Sequence, residues 1–184
     1  MPNFFSSLFS SSPKPVQSVQ FVSGRKVTDS PKTVQEVLGI AFDYKGSISA
    51  KKVFCKKILR FCAREFSTEN MLFLLVCEKY RNAPNSGLFN LIYDDFIRPG
   101  SPKEVNISSQ LRLPITTLSQ LGDPGSSAIV FDAAVSEIYK LFERDSLARL
   151  VKAPFASAFT LNDAQQREFD AAVNYLSTYQ ITLL

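Results

Sequence analysis

The sequence contains no histidine and no tryptophan, and only 7 of its 184 residues are glycine. The absence of histidine excludes Ser-His-Asp and Cys-His nucleophilic catalysis, catalytic zinc held by imidazole and histidine-based pH switching. Most hydrolase mechanisms therefore lose their usual base, and no sequence feature indicates a metal, a cofactor or a small-molecule substrate of its own. Scarce glycine together with 16 phenylalanines is typical of a helical core rather than a many-stranded barrel, so the composition favours an all-α fold.

The sequence also has few cysteines, a small net charge and only short apolar runs. The three cysteines, Cys55, Cys62 and Cys77, lie in apolar stretches without a C-x-x-C pair, which is typical of reduced, buried, intracellular thiols. A net charge of +4, without a zinc-finger, RNP or P-loop motif, does not indicate a nucleic-acid partner. Apolar runs are too short to span a membrane and the N-terminus does not resemble a secretory signal, so we expect a cytoplasmic protein.

The composition divides the chain into three parts. Residues 1–35 are rich in serine, proline and lysine and form an irregular or partly ordered N-terminal extension, residues 36–159 form a helical domain, and residues 160–184 form a C-terminal helical extension. The N-terminal extension contains four apolar residues at near-helical spacing: Phe4, Phe5, Leu8 and Phe9. They either anchor a membrane or partner, or belong to an extension that packs on its own domain or stays loose.

Apolar periodicity predicts the individual helices of the domain. Ser67 or Thr68 is expected to cap a helix that is apolar around most of its circumference and therefore central. Asp145 and Ser146 are expected to end one helix and cap the next, and Asn162 is expected to cap the last helix.

Three blocks of sequence then carry a family resemblance. They are Phe61 to Phe73 with Cys77 to Tyr80, then Ile92 to Ile97 with Lys103 to Ile107, and finally Phe131 to Ala134 with Ile138 to Lys152. In this order and nearly this spacing, they resemble the regulator of G-protein signalling homology domain over about residues 37–159. The segment before Phe131 is a few residues longer than is usual in the family, an insertion most easily housed in the turn from Gly122 to Ser127.

The resemblance implies a fold and an activity. The fold is an all-α arrangement of about nine helices, with a four-helix antiparallel bundle near residues 69–152 and a lobe of terminal helices. The activity is GTPase activation: the domain binds the switch regions of a GTP-bound heterotrimeric G-protein α subunit and accelerates its GTP hydrolysis, which ends the signal. The residues that match the family's docking positions are Phe66, Ser67, Glu69, Asn70, Asn106, Leu141, Asp145, Ser146 and Arg149.

The resemblance also assigns roles within this set. Asn106 lies nearest the partner's catalytic glutamine, and Asp145 accepts hydrogen bonds from switch-region amides while Ser146 and Arg149 hold it in position. Leu74 stands where the family usually has tryptophan, and Leu72 stands where it often has a polar residue. These departures leave an alternative open, a scaffold or effector-binding domain of the same fold without GTPase-activating activity.

A basic run suggests another function. Residues 51–64 contain six basic residues and no acid, and three of the basic residues are spaced to form one ridge along a helix: Lys52, Lys56 and Arg60. Such a ridge either faces anionic lipid at the inner leaflet of the plasma membrane or is a solvated helix face. A lipid-surface helical adaptor is therefore a third hypothesis.

Overall fold

A computed structural model describes residues 48–121 and 127–181, without the side chains of residues 48–54, 151, 155 and 156. The N-terminal extension with its phenylalanine cluster, and the turn expected to house an insertion, lie outside the described residues except for Ser127. The described ranges contain no strand and eight α-helices. These are α1 (Ile48–Arg64), α2 (Thr68–Asn82), α3 (Ser86–Ile92), α4 (Ser109–Gln120), α5 (Asp132–Phe142), α6 (Ala148–Lys152), α7 (Phe155–Ala158) and α8 (Asp163–Thr178).

Helix α2 is the centre of the molecule, as its apolar circumference predicts. Every side chain from Met71 to Glu78 is buried, because α1, α3, α5 and α8 pack around it. The predicted side-chain cap at its start is wrong. Ser67 is the N-cap residue but makes no side-chain cap bond, and the Thr68 hydroxyl donates instead to Glu168 of α8 at 2.5 Å.

Helices α2 to α6 form the bundle. Helix α2 packs on α3 and α5, and α4 packs on α5 and on residues Tyr93–Ile97, which follow α3. Three rings fill one end of this core: Tyr80 lies 5.1 Å from Phe131 and 6.4 Å from Phe89, and the latter two rings are stacked at 5.3 Å. The all-α prediction is confirmed.

Two of the helices contain a π turn. Residues Tyr93–Ile97 extend α3, and Glu143–Leu147 join α5 to α6. The predicted break at Asp145 and Ser146 is therefore wrong, because Glu143 and Ala148 on either side keep helical dihedral angles and one continuous helix runs from Asp132 to Lys152. A π turn widens the backbone by one residue without ending the helix.

Helix α8 belongs to the packed core. Asn162 caps it as predicted: its side chain accepts from the Gln165 amide at 2.9 Å, and the Gln165 side chain accepts from the Asn162 amide at 3.0 Å. Its buried face packs against α1 and α2 through Phe169, Ala172 and Leu176. The predicted C-terminal extension is helical, and its helix shares the hydrophobic core of the bundle.

The structure also tests the expectations about buried thiols and about membrane-spanning helices. All three cysteines are free and buried, and burial raises the pKa of Cys55 to about 12, so these thiols are unreactive at neutral pH. Among the described residues, no helix combines the length and the apolar character needed to cross a membrane.

Candidate functional site

The first predicted docking segment joins α1 to α2. Phe66 has a φ of 52° and its side chain is 61% exposed, which is an unusual conformation for an aromatic residue. The Ser67 amide donates to the Cys62 carbonyl at 2.9 Å, which closes the end of α1. The chain therefore holds a large apolar side chain in solvent at a strained backbone position, a combination found at binding sites.

The next two predicted docking residues, Glu69 and Asn70, lie in the first turn of α2. Glu69 is partly buried and accepts a hydrogen bond from the Asn70 amide group at 3.1 Å. Burial raises the pKa of Glu69, and the ammonium of Lys103 opposes this shift while the carboxylate of Glu168 adds to it. Glu69 therefore lies close to both the loop that carries Lys103 and helix α8.

The second segment is the loop between α3 and α4, and Asn106 lies at its apex. The Ile107 amide donates to the Val105 carbonyl at 3.0 Å, which closes a three-residue turn with Asn106 in the middle. Val105 and Ile107 are buried on either side, whereas the Asn106 side chain is exposed. Two buried anchors thus present one amide side chain to solvent.

Two residues that sequence reasoning missed hold this loop. Arg112 of α4 donates to the carbonyls of Ile97 and Val105, the latter at 3.2 Å, and pairs with Glu104 at 3.0 Å. Glu137 of α5 accepts from the Ser108 amide at 2.8 Å. Spacing along the sequence does not indicate these contacts, since each joins residues that only the fold brings together.

The third segment is the π turn between α5 and α6. The guanidinium of Arg144 donates to both carboxylate oxygens of Asp145, at 3.1 and 3.2 Å, and holds the pKa of Asp145 below its usual value. Ser146 is 4% exposed and Leu141 is partly buried against the core. The Asp145 side chain is 48% exposed beside the more exposed Arg144, whereas Ser146 lies in the interior.

Arg149 was expected to hold Asp145, and the structure corrects this expectation. Its Nε donates instead to Glu65 Oε2 at 2.8 Å, so Arg149 joins α6 to the α1–α2 connection. Its charge acts on Asp145 only as a smaller, through-space contribution to the lowered pKa. The direct partner of Asp145 is Arg144, its neighbour in sequence.

These contacts bring the three segments together. Arg149 joins the third segment to the first through Glu65, and Glu137 joins the helix before the third segment to the second through Ser108. Lys103 of the second segment acts on Glu69 of the first. Leu72 and Leu74, the two departures from the family pattern, are buried and add nothing to the exposed surface.

The basic ridge is not a row of three free cations. Arg60 Nε donates to the Phe159 carbonyl at 2.7 Å, and its guanidinium lies 5.4 Å from the centre of the Phe169 ring on α8. Lys56 is partly exposed, and the side chain of Lys52 lies outside the description. Arg60 thus has a packing role that periodicity alone does not reveal.

No cluster of three metal-ligating side chains occurs within the described ranges.

Comparison with known proteins tests the resemblance. A family model for the regulator of G protein signaling domain matches residues 46–159, more than half of the chain. The chain belongs to the regulator of G protein signaling domain family. Regulator of G-protein signaling 19 of Bos taurus is 38% identical over 115 residues, and regulator of G-protein signaling rgs-2 of Caenorhabditis elegans is 33% identical over 138 residues.

Coverage differs between these relatives. The match covers 73% of this chain and 79% of the Caenorhabditis elegans relative, but 60% of this chain and 50% of the Bos taurus relative. The chain thus spans about half the length of several of the curated relatives it matches. The match to the regulator of G protein signaling domain ends at residue 159, so helix α8 lies beyond it.

Proposed function

We propose that this regulator of G protein signaling domain binds a GTP-bound heterotrimeric G-protein α subunit and accelerates its GTP hydrolysis. Asn106 is the observation that carries the proposal. Its side chain is exposed at the apex of a closed turn, and the residues on both sides are buried. A residue held in this way loses little conformational entropy when it binds a partner.

The mechanism requires no catalytic group from this chain. A Gα subunit holds its own arginine in cis, and its glutamine orients the attacking water, so a partner need only hold the switch regions in their transition-state geometry. Asn106 offers a donor and an acceptor in one amide group, which suits a glutamine side chain and switch backbone at once. A hundredfold acceleration corresponds to about 2.7 kcal/mol of preferential transition-state binding.

The other predicted docking residues are assigned roles by their chemistry. Asp145 would accept from switch-region amides, with Arg144 rather than Arg149 setting its orientation. Glu69 and Asn70 would contact a neighbouring switch. The exposed ring of Phe66 would pack on the partner, and Ser67 and Leu141 would form the floor beneath.

The test is single-turnover GTP hydrolysis by purified Gα subunits with and without the protein. Asp145→Ala is expected to lose most of the acceleration, because a charged acceptor for backbone amides is removed. Asp170→Ala is the matched control, since Asp170 is also exposed and also accepts from a neighbouring side chain, Gln166 at 2.8 Å. Failure of the native protein to accelerate hydrolysis by any cognate α subunit would favour the scaffold alternative.

Peripheral membrane contact is tested separately. With Arg60 bound to Phe159 and Phe169, the lipid hypothesis rests on fewer cations than the sequence suggests. Sedimentation with phosphatidylserine vesicles at physiological salt checks it. Vesicle binding by a protein that binds no α subunit would support the lipid-surface adaptor instead.

A further inference from the structure

Helix α8 lies beyond the family match and nevertheless contacts the candidate docking surface. It runs in the same direction as α2: Glu168 lies beside Thr68 at the start of α2, and Tyr179 lies beside Lys79 near its end. Because the family model ends at residue 159, the match gives this helix no role.

Near its start, α8 holds the first docking segment. Glu168 accepts from the Thr68 hydroxyl at 2.5 Å, and the Gln165 side-chain amide donates to the Arg64 carbonyl at 2.9 Å. Thr68 itself is buried, so its hydroxyl has no access to water as an alternative partner. These two bonds flank Phe66 and Ser67 on both sides.

About two and three turns after Glu168, Tyr175 and the C-cap residue Tyr179 hold the Asn106 loop. The Tyr175 hydroxyl donates to Asp95 Oδ2, as does the Tyr179 hydroxyl at 2.7 Å. The Asp95 carbonyl accepts from the Lys103 amide at 3.0 Å, and the Lys103 ammonium lies 5.1 Å from the centre of the Tyr175 ring. Tyr175 thus contacts the loop both through Asp95 and directly.

We propose that α8 positions the docking surface, with Glu168 and Tyr175 as positioning residues for the Phe66 to Asn70 segment and the Asn106 loop. This inference rests on the proposed function, since that function makes the two segments a docking surface. The two segments come from different connections of the bundle, and α8 contacts both. Its role is to order them before the α subunit binds, which reduces the entropic cost of binding.

The first test needs no α subunit. Amide hydrogen exchange of the full chain is compared for Glu168→Ala, Tyr175→Leu and the exposed control Asn174→Ala. We expect exchange to rise about tenfold in residues 66–70 for Glu168→Ala and in residues 103–107 for Tyr175→Leu, which corresponds to about 1.4 kcal/mol. The buried Ile138 amide of α5 serves as the internal reference and should not change.

The second test separates positioning from stability. Mispositioned loops raise the KM for the α subunit because ordering is deferred to binding, whereas a partly unfolded sample lowers kcat at unchanged KM. We expect Tyr175→Leu to raise KM about tenfold, and Tyr175→Phe, which keeps the ring beneath Lys103, to restore most of the affinity. Thr68→Val removes the bond to Glu168 from the other side and should reproduce Glu168→Ala.

The outcomes are distinguishable. Unchanged exchange in both segments, or a rise shared equally by Ile138, would overturn the positioning role. If the native protein does not accelerate GTP hydrolysis, the proposed function fails, but the exchange result still decides whether α8 orders the two segments.

Discussion

The two ends of helix α2 differ in how their polar groups are satisfied. At the C-terminal end, the Asn82 side chain donates to the Glu78 carbonyl at 3.0 Å, and Arg81 lies 2.5 Å from Asp132 and 3.6 Å from the buried Glu78. The Ala83 amide completes the end with bonds of 3.1 Å to two carbonyls of the last turn. This end is closed by the chain's own side chains.

The N-terminal end of α2 has no side-chain cap from Ser67, and bonds from α8 hold it instead. Phe66 occupies a positive φ with its ring in solvent, and Glu69 is partly buried without an ion pair among the described residues. The unsatisfied amides of a helix start attract negative or hydrogen-bonding partners. One end of α2 is thus closed by ion pairs and hydrogen bonds of its own side chains, whereas the other end carries an exposed aromatic residue at a strained backbone position.

Breaking the closed end should have the largest effect on stability. Arg81→Met removes the ion-pair partner of the buried Glu78 and leaves it with Asn82, so we expect the free energy of unfolding to fall by about 1 to 3 kcal/mol. Urea denaturation measures the change. Arg98→Met is the control and should cost less than about 0.5 kcal/mol, because its pair with Asp94 is exposed on both sides. Equal losses of stability in the two variants would contradict this expectation, because the ion pair of the buried Glu78 would then matter no more than an exposed ion pair.

Relieving strain at the N-terminal end should raise stability. Phe66→Gly removes the penalty of a positive φ, so we expect the free energy of unfolding to increase by about 1 kcal/mol while acceleration of GTP hydrolysis falls with the loss of the ring. Ala83→Gly at the other end, where φ is −148°, should give no gain. If Phe66→Gly destabilises the protein as Ala83→Gly does, the backbone at Phe66 is not strained.

The smallest effect should depend on pH. Burial raises the folded-state pKa of Glu69, so its contribution favours folding below its unfolded-state pKa and is lost as pH rises through the raised value. Glu69→Gln should therefore be more stable than the parent at neutral pH, by less than about 1 kcal/mol, with the difference vanishing on acidification. Urea denaturation curves of the parent and of Glu69→Gln, measured from neutral to acidic pH, check the sign of this stability difference. A less stable Glu69→Gln variant at neutral pH would contradict it.

The sequence predicts the elements better than the contacts between them. The apolar circumference of α2 and the cap at Asn162 depend on residues within a few positions of each other, and both predictions are confirmed. The expected break at Asp145 is wrong because residues that are typical of a helix cap lie here in a π turn that continues the helix.

The wrong predictions for Arg60 and Thr68 share a physical cause, because the partners of both residues lie far away in the sequence. Arg60 was expected on a ridge that faces either anionic lipid or solvent, but its partners Phe159 and Gln166 lie about 100 positions away in the sequence. Thr68 and Glu168 are also 100 positions apart in the sequence, so no local sequence pattern predicts their hydrogen bond. The docking residues are predicted only through the family resemblance, because each resembles an ordinary turn or cap residue when considered alone.

Comparing Asn106→Ala with Arg81→Met tests most directly whether the residues that stabilise the fold differ from those that bind the α subunit. Single-turnover GTP hydrolysis and urea denaturation are measured on the same samples. We predict that Asn106→Ala loses acceleration by about a hundredfold, or about 2.7 kcal/mol, with the free energy of unfolding unchanged. Arg81→Met should lose stability and keep its acceleration per folded molecule. Parallel loss of both properties in either variant would contradict the account.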